Sequence, residues 1–217
     1  MYYRPMPLPR FERLPADRRE AILGVAREQF AAHGAESASY NKIIEAAGIS
    51  KTAAYHYFDG REDLLGAVLD GVLGRLLAAL GPWLPAADPA GFWARLEQGA
   101  AALADHLRRH PDDLALADAA IGRADDGPWT GWFDAVVADG QRLGVIRTDV
   151  DRGLLVAATA AVVRAADAWA LARMRAAADC GPASGAVDGG PGADTADGRQ
   201  LWPLLRGLWG TDGGGGR

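Results

Sequence analysis

The sequence predicts an all-α chain in two helical parts. Three observations carry that class. Apolar residues recur at three- and four-residue spacing along most of the 217 residues, the period of a helix with one buried face. No run alternates apolar and polar residues as a half-buried strand does. Glycine and proline interrupt the stripes at Gly34, Gly48, Gly81-Pro82, Pro111 and Gly127-Pro128, where helices stop or start.

Residues 1–13 are rich in Pro and Arg and read as a mobile tail. A first helix is expected from about Ala16 to Ala32, with Ile22, Val25, Ala26 and Phe30 as its core stripe. Two short helices follow, about Tyr40–Ala46 and Lys51–Tyr57, joined by Ala47-Gly48-Ile49. Gly48 sits where the chain leaves the first of them, a position that favours a left-handed backbone. Ile43, Ala47 and Ile49 are spaced to close the wedge between the pair. Ser50 is a good N-cap for the second helix, and Ser39 can cap the first.

A longer helix starts near Arg61 and ends before Gly81-Pro82, with Leu64, Leu65, Val68, Leu69, Val72, Leu76 and Leu80 in a broad stripe. Pro82, Pro85 and Pro89 mark a connection. The next helix, about Pro89–Arg109, ends at Pro111, because proline disfavours helix in the residue before it. A short helix of about Asp112–Ile121 follows. Asp125-Asp126-Gly127-Pro128 is a turn with Pro128 in the first turn of a helix that runs to about Leu143. Asp151 caps a helix to about Ala177, built largely of Ala, Val and Leu. Residues 179–198 hold too little apolar mass to order themselves and read as a linker. A last helix, about Arg199–Trp209, precedes a Gly tail.

Composition narrows the class. The hydrophobic share of 49% and charged share of 24% are ordinary for a soluble globular protein. No eighteen consecutive residues are apolar, so no membrane partner is expected. Residues 1–10 lack the apolar core of a secretory signal. The single cysteine, Cys180, makes no intrachain disulfide and suits the cytoplasm. Net charge is −5, which excludes a protein that coats nucleic acid indiscriminately. The distribution is uneven. Residues 1–58 carry eight Lys/Arg against six Asp/Glu, and residues 66–217 carry fourteen against nineteen. Both lysines, Lys42 and Lys51, fall in the paired short helices.

Two short helices joined by a Gly-containing turn are the signature of a helix-turn-helix, whose second helix enters the DNA major groove. The second helix exposes Lys51, Thr52, Ala53 and His56 to base edges. Tyr55, Tyr57 and Arg61 are placed to reach phosphates. With Ser39, Tyr40 and Ser50 they make the candidate DNA-binding set. Residues 1–13 could alternatively serve as an arm in the minor groove.

These residues resemble the DNA-binding domain of the TetR/AcrR family of bacterial transcription regulators. Arg18 to Gly34 is similar to the family's first helix, including Phe30 and the terminal glycine. Tyr55-His56-Tyr57-Phe58 and Arg61-Glu62-Asp63-Leu64 resemble its Tyr-x-x-Phe and Lys-x-x-Leu elements. The likeness covers roughly residues 14–70. Arg61 stands where Lys is usual, Ile44-Glu45 replaces Ile-Ala, and Ala53-Ala54 leaves a bare recognition face.

The resemblance implies a DNA-binding domain at 14–60 and a helical effector-binding and dimerisation domain at 61–210. It implies a homodimeric repressor that a small, largely apolar effector releases from a palindromic operator in double-stranded DNA. Trp93, Leu96, Trp129, Trp132, Phe133 and Trp169 lie on helices the family packs around a ligand cavity; as plain core they would serve equally. Asp167 beside Trp169 could hold a cationic ligand, or pair with Arg164 on a solvated face. The last two helices resemble the family's dimer bundle, with Leu155, Ala158, Val162 and Ala165 as small contacts and Leu201, Leu204, Leu205 and Leu208 as knobs. An intrachain core on the same faces is the alternative.

The competing class is an enzyme on a helical scaffold that binds no DNA. It requires a nucleophile with a base, or a metal, and neither is in evidence: there is no Gly-x-Ser-x-Gly element and no phosphate loop. His106 and His110 have the spacing of two zinc ligands, but no motif fixes a third. No catalytic residue, metal or cofactor is expected.

Overall fold

Each stretch with helical periodicity is a helix, and no strand occurs among the described residues of the computed structural model, which are 8–123, 128–179 and 201–210. The helices are α1 (Pro9–Glu12), α2 (Ala16–His33), α3 (Tyr40–Ala46), α4 (Lys51–Tyr57) and α5 (Arg61–Leu80). They continue as α6 (Pro89–Arg109), α7 (Pro111–Gly122), α8 (Pro128–Arg142), α9 (Arg152–Asp179) and α10 (Leu201–Trp209). The linker reading of 180–198, Cys180, the Gly tail and any arm formed by residues 1–7 lie outside the described residues.

The tail expectation is corrected for residues 8–13. Pro9 opens α1, and Phe11 is buried with its ring 4.7 Å from Phe58 and 6.0 Å from Tyr57. Leu8 donates its N–H to the Tyr57 carbonyl at 2.9 Å. Burying one Phe side chain contributes roughly 1.5–3 kcal/mol, which orders a segment whose Pro and Arg content suggested mobility.

The chain divides into two compact units. The first contains residues 1–76 and 107–123, so its boundary falls inside α5 rather than at Gly60. Its core joins Ile22, Ala26 and Phe30 of α2 with Ile43, Ile44, Ala54 and Phe58. Leu64, Val68, Val72 and Leu76 of α5 extend it, and Leu116, Ala117 and Ala120 of α7 complete it. Arg75 grips Asp113 of α7 with Nε to Oδ2 at 2.9 Å and Nη2 to Oδ1 at 2.7 Å. A two-pronged guanidinium–carboxylate pair is both directional and strong.

The second unit contains residues 77–106 and 124–217. Phe92 and Leu96 of α6, Phe133, Val136 and Val137 of α8, Ile146, Leu155 of α9, and Leu205 and Trp209 of α10 form its core. α8 ends at Gly144 (φ 70°), with Val145 N–H bonded to Gly140 O and Gly144 N–H to Gln141 O. This is the paired closure that a left-handed glycine allows. α10 is pinned from both sides. Trp209 Nε1 donates to Thr159 Oγ1 at 2.8 Å, and Arg147 N–H donates to Trp209 O at 2.9 Å.

Over Arg152–Ala176, α9 is long and apolar enough to cross a membrane by length and composition, with a hydropathy of 1.6. Its Leu155, Val156, Thr159 and Leu171 are buried within the unit. Leu154, Ala157, Ala161, Ala165, Ala168 and Trp169 form an exposed apolar stripe.

Candidate nucleic-acid interface and ligand cavity

The turn between α3 and α4 is built as a helix stop followed at once by a helix start. Gly48 has φ 63°. Ile49 N–H reaches back to Ile44 O at 3.1 Å and Gly48 N–H to Glu45 O at 3.0 Å, closing the end of α3. Ser50 Oγ then accepts the Ala53 N–H at 3.1 Å and caps α4. Ile43 and Ile44 fill the angle with Ala54 and Phe58, while Ala47 and Ile49 are only half-buried. The wedge therefore keeps Ile43 of the expected trio and is completed by Ile44, Ala54 and Phe58 in place of Ala47 and Ile49. It fixes α4 against α3 and leaves the outer face of α4 free of packing.

That face carries Lys51, Thr52, Tyr55 and His56, all exposed; Tyr55 is 62% exposed. Ala53 is half-buried. Lys42 and Asn41 are exposed on α3; Lys42 stood out in the charge count, Asn41 had no signal. Ser39 is exposed and holds the N-cap position of α3, but its side chain makes no capping bond, which corrects that reading. Tyr40 is half-buried against Tyr55, with ring centroids 6.1 Å apart. Its hydroxyl is buried without a hydrogen-bond partner. Burial, with Tyr55 and Asp63 nearby, pushes the phenol up to about 12. Tyr57 packs its ring against Phe11, away from the Tyr55 face.

Arg61 is the main correction in this set. Its Nε donates to Ala38 O at 3.0 Å, a second guanidinium nitrogen bonds Ala35 O, and a third pairs with Glu62. The guanidinium also sits 5.6 Å from the Phe30 ring centroid. Arg61 thus ties the loop before α3 to the start of α5 instead of standing free for phosphate. Arg61→Ala is expected to lower the stability of the chain by about 1.5–3 kcal/mol, the range for hydrogen bonds to a charged group. The salt dependence of DNA binding should stay unchanged. A salt slope flattened by about one unit would return Arg61 to the phosphate contacts.

In the second unit, residues of α5, α6, α8, α9 and α10 line a cavity. The unfilled space is about 550 Å³, its mouth included. Trp129, Trp132, Phe133 and Val136 of α8 and Leu201, Trp202, Leu205 and Trp209 of α10 contribute most of the lining. Leu80 of α5, Leu96, Ala100 and Leu103 of α6, and Thr159, Val163 and Asp167 of α9 complete the lining. Of the expected ligand set, Leu96, Trp129, Trp132, Phe133 and Asp167 are in the lining. Trp93 is not in the lining. It supports the cavity from behind, 5.8 Å from the Trp209 ring and under Arg206 at 4.2 Å. Trp169 is 42% exposed and lies under Arg173 at 5.0 Å. About half a helical turn carries a residue from the cavity wall to the surface, and Asp167 and Trp169, two positions apart, differ by roughly that much.

The dimer set is also redistributed. Leu155 and Leu205 are buried in the unit's own core, Leu201 lines the cavity, and Leu208 packs on that core. Ala165 and Leu204 are exposed, and Ala158 and Val162 are half-buried. Trp202 and Trp209 are the aromatic lining residues the reading missed, along with Leu80, Ala100, Leu103, Val136, Thr159 and Val163. The positions of Trp202 and Trp209 with Leu201 and Leu205, at one- and four-residue spacings on one face of α10, were the available signal. No group of three or more His, Cys, Asp or Glu able to hold a metal occurs among the described residues.

The family model for bacterial regulatory proteins of the tetR family matches residues 22–68. No curated protein matches the chain. Among solved structures, the fatty acid degradation regulator FadR from Bacillus halodurans aligns at 16% identity and TM-score 0.59, over 91% of this chain and 99% of that one. A TetR family transcriptional regulator from Pseudomonas syringae pv. tomato aligns at 20% identity and TM-score 0.57, over 89% and 97%. A candidate transcriptional regulator from Streptomyces coelicolor aligns at 26% identity and TM-score 0.51, over 89% and 98%. The matched residues 22–68 cover α2 from Ile22, the α3–α4 turn and the start of α5, and over that stretch the chain carries the helix-turn-helix domain of the bacterial regulatory proteins of the tetR family.

Proposed function

We propose that the chain is a homodimeric repressor, released from a palindromic operator when a small, largely apolar effector occupies the cavity of the second unit. The observation that carries this reading is the free outer face of α4, with Lys51, Thr52, Tyr55 and His56 exposed beside a capped, rigid turn. DNA binding lies with residues 14–60. Lys51 and Thr52, in the first turn of α4, meet base edges; Tyr55 and Ser39 meet phosphates. Effector binding and dimerisation lie with the helices of the second unit. A second copy covers Leu154, Ala161, Ala165 and Leu204, because a large exposed apolar patch marks an interface and two half-sites require two recognition helices. α5 and α6 each run through both units, so a shift of either helix at the cavity is felt in the first unit. The protein acts in the cytoplasm, beside its DNA.

The test is anisotropy of a labelled duplex from upstream of its own gene, with light scattering on the complex. An even number of chains per duplex is expected; a monomer active on one half-site would overturn the dimer. An effector that favours the DNA-incompetent state should lower operator affinity about 5- to 150-fold, and operator must weaken the effector by the same factor. Within the interface, Lys51→Ala or Thr52→Ala should change which base is preferred, at about 1–3 kcal/mol for a lost contact. Tyr55→Phe should weaken all duplexes alike. Competition against duplexes with single base changes separates the two behaviours.

A further inference from the structure

α1 is held more firmly than its composition requires, and it is held to α4. Leu8 donates its N–H to Tyr57 O at 2.9 Å, and Phe11 is buried against Tyr57 and Phe58. Arg19 Nη1 closes the other end, donating to Glu12 O at 2.6 Å and to Leu14 O at 3.0 Å. A helix of four residues cannot sustain itself, so these ties fix it. Tyr57 is the last residue of α4 and follows exposed His56. α4 has seven residues, about 10 Å at 1.5 Å per residue. The Leu8 end of α1 therefore lies about one short helix length from Lys51 and Thr52.

The cations of residues 8–61 divide into two groups. Arg18 reaches Gly48 O, Arg19 holds α1, Arg27 pairs with Glu20 and Asp112, and Arg61 bonds Ala35 O and Ala38 O. Arg10, Arg13, Lys42 and Lys51 are exposed, and among the described residues no hydrogen bond or ion pair engages them. Lys42 and Lys51 belong to α3 and α4, whereas Arg10 lies in α1 and Arg13 is its C-cap. At about 100° per residue, these two arginines lie about 60° apart around α1, and Glu12 lies about 160° from Arg10 and about 100° from Arg13. α1 thus presents its two cations as a pair, apart from its one carboxylate.

A helix in the major groove has phosphates on both sides of it. The groove is about 12 Å wide, and duplex DNA carries one negative charge per about 1.7 Å of axis. An element fastened to the end of that helix comes to one of the two edges, where a guanidinium finds a phosphate to bond.

We propose that α1 is part of the DNA-binding surface, and that Arg10 and Arg13 bond backbone phosphates beside the groove that α4 enters. This rests on the DNA-binding reading of α4 given above. The pair adds affinity without reading sequence, because phosphate contacts carry no sequence information.

Anisotropy of two labelled duplexes tests it, one from upstream of the chain's own gene and one of random sequence and equal length. Each is titrated between about 50 and about 200 mM salt, where phosphate contacts are read most directly. Losing one contact flattens the plot of log affinity against log salt by about 0.9, so Arg10→Gln with Arg13→Gln should flatten it by about 1.8 per bound chain. Across that salt range, wild-type affinity should fall about 12-fold more per chain than the variant's. The flattening should be equal on both duplexes. The variant should melt with the wild type, since both side chains are exposed. Arg10→Lys with Arg13→Lys keeps both charges and should keep the slope. A slope unchanged in the glutamine variant overturns the proposal and leaves α1 as packing alone, with the reading of α4 intact. A loss on one duplex only overturns the phosphate assignment. Failure of the wild type to bind either duplex overturns the proposal together with the DNA-binding reading on which it stands.

Discussion

Arg75→Ala is expected to destabilise the first unit by about 3 kcal/mol, the low end of the range for removing one partner of a buried ion pair. Asp113 is 2% exposed, and the substitution leaves its carboxylate buried without the guanidinium that grips it. The low end applies because the Arg75 side chain is 32% exposed, so water already screens part of the attraction. The reverse substitution should be milder. Asp113→Ala leaves Arg75, which can turn toward solvent. Arg75→Lys restores charge but not the two-pronged geometry, so it should recover only part of the loss. Arg75→Met combined with Asp113→Leu should sit near wild type, since apolar packing often replaces a buried pair without loss. Two probes separate the units. All seven tryptophans lie in the second unit, and the described tyrosines, Tyr40, Tyr55 and Tyr57, lie in the first. Denaturant unfolding followed by far-ultraviolet circular dichroism should gain an early transition in Arg75→Ala, while tryptophan fluorescence keeps its midpoint. An Arg75→Ala midpoint within 0.5 kcal/mol of wild type, on the ~0.5 kcal/mol scale of ordinary surface changes, would show that the pair holds nothing.

Local signals made most of the fold legible. Helix stops and starts depend on one or two residues whose effect is nearly independent of context. Gly48 and Ser50 end α3 and begin α4 as their residue types require, and Pro89, Pro111 and Pro128 each stand at the first position of a helix. The start of the chain was not legible. Phe11 is one apolar residue among Pro and Arg, and its burial depends on a groove between Tyr57 and Phe58 that exists only after α4 and α5 have packed. The unit boundary was hidden for a similar reason. The α5 stripe is continuous from Leu64 to Leu80, and nothing in its spacing says that packing partners change after Leu76.

The candidate sites divide along the same line. The α4 face follows from helical geometry, so Lys51, Thr52, Tyr55 and His56 emerge together from sequence alone. Arg61 does not. A cation beside a recognition helix suggests a phosphate contact, and only the position of the Ala35 and Ala38 carbonyls shows what it holds instead. In the second unit, the aromatic residues of α8 line the cavity, whereas the choice between cavity, core and surface for residues of α9 and α10 depends on how those helices rotate against α8. Leu201 and Leu205 face inward and Leu204 outward, a difference that periodicity marks but cannot orient.

Asp139→Ala is expected to cost the second unit about 2–4 kcal/mol, from hydrogen bonds to a charged acceptor together with donors left unpaired. The carboxylate is buried on α8 and organises the segment that leaves α5. Oδ2 accepts the Ala86 N–H at 2.8 Å and the Trp83 indole at 3.2 Å, and Oδ1 accepts Arg142 at 2.6 Å. Burial alone would raise this carboxyl. The Ala86 N–H, the Arg142 guanidinium and the Trp83 indole outweigh it and hold the group below the usual carboxylate range. A folded-state pKa below the unfolded one means that the unfolded chain binds the proton first. The stabilisation is therefore complete above the ordinary aspartate range and is lost as pH falls through the depressed folded value. Asp63, in the first unit, has the opposite sign, because burial raises its carboxyl and acid relieves the penalty. The tryptophan-detected stability of wild type should thus fall on acidification below about pH 4, the ordinary range for aspartate, and Asp139→Ala should flatten that fall while lowering the plateau at pH 7. Trp83 is one of the reporting fluorophores, so Trp83→Phe serves as the control: it removes one donor and should shift the plateau less than Asp139→Ala. An acid limb equally steep in wild type and Asp139→Ala would mean that other carboxylates of the unit set its acid stability.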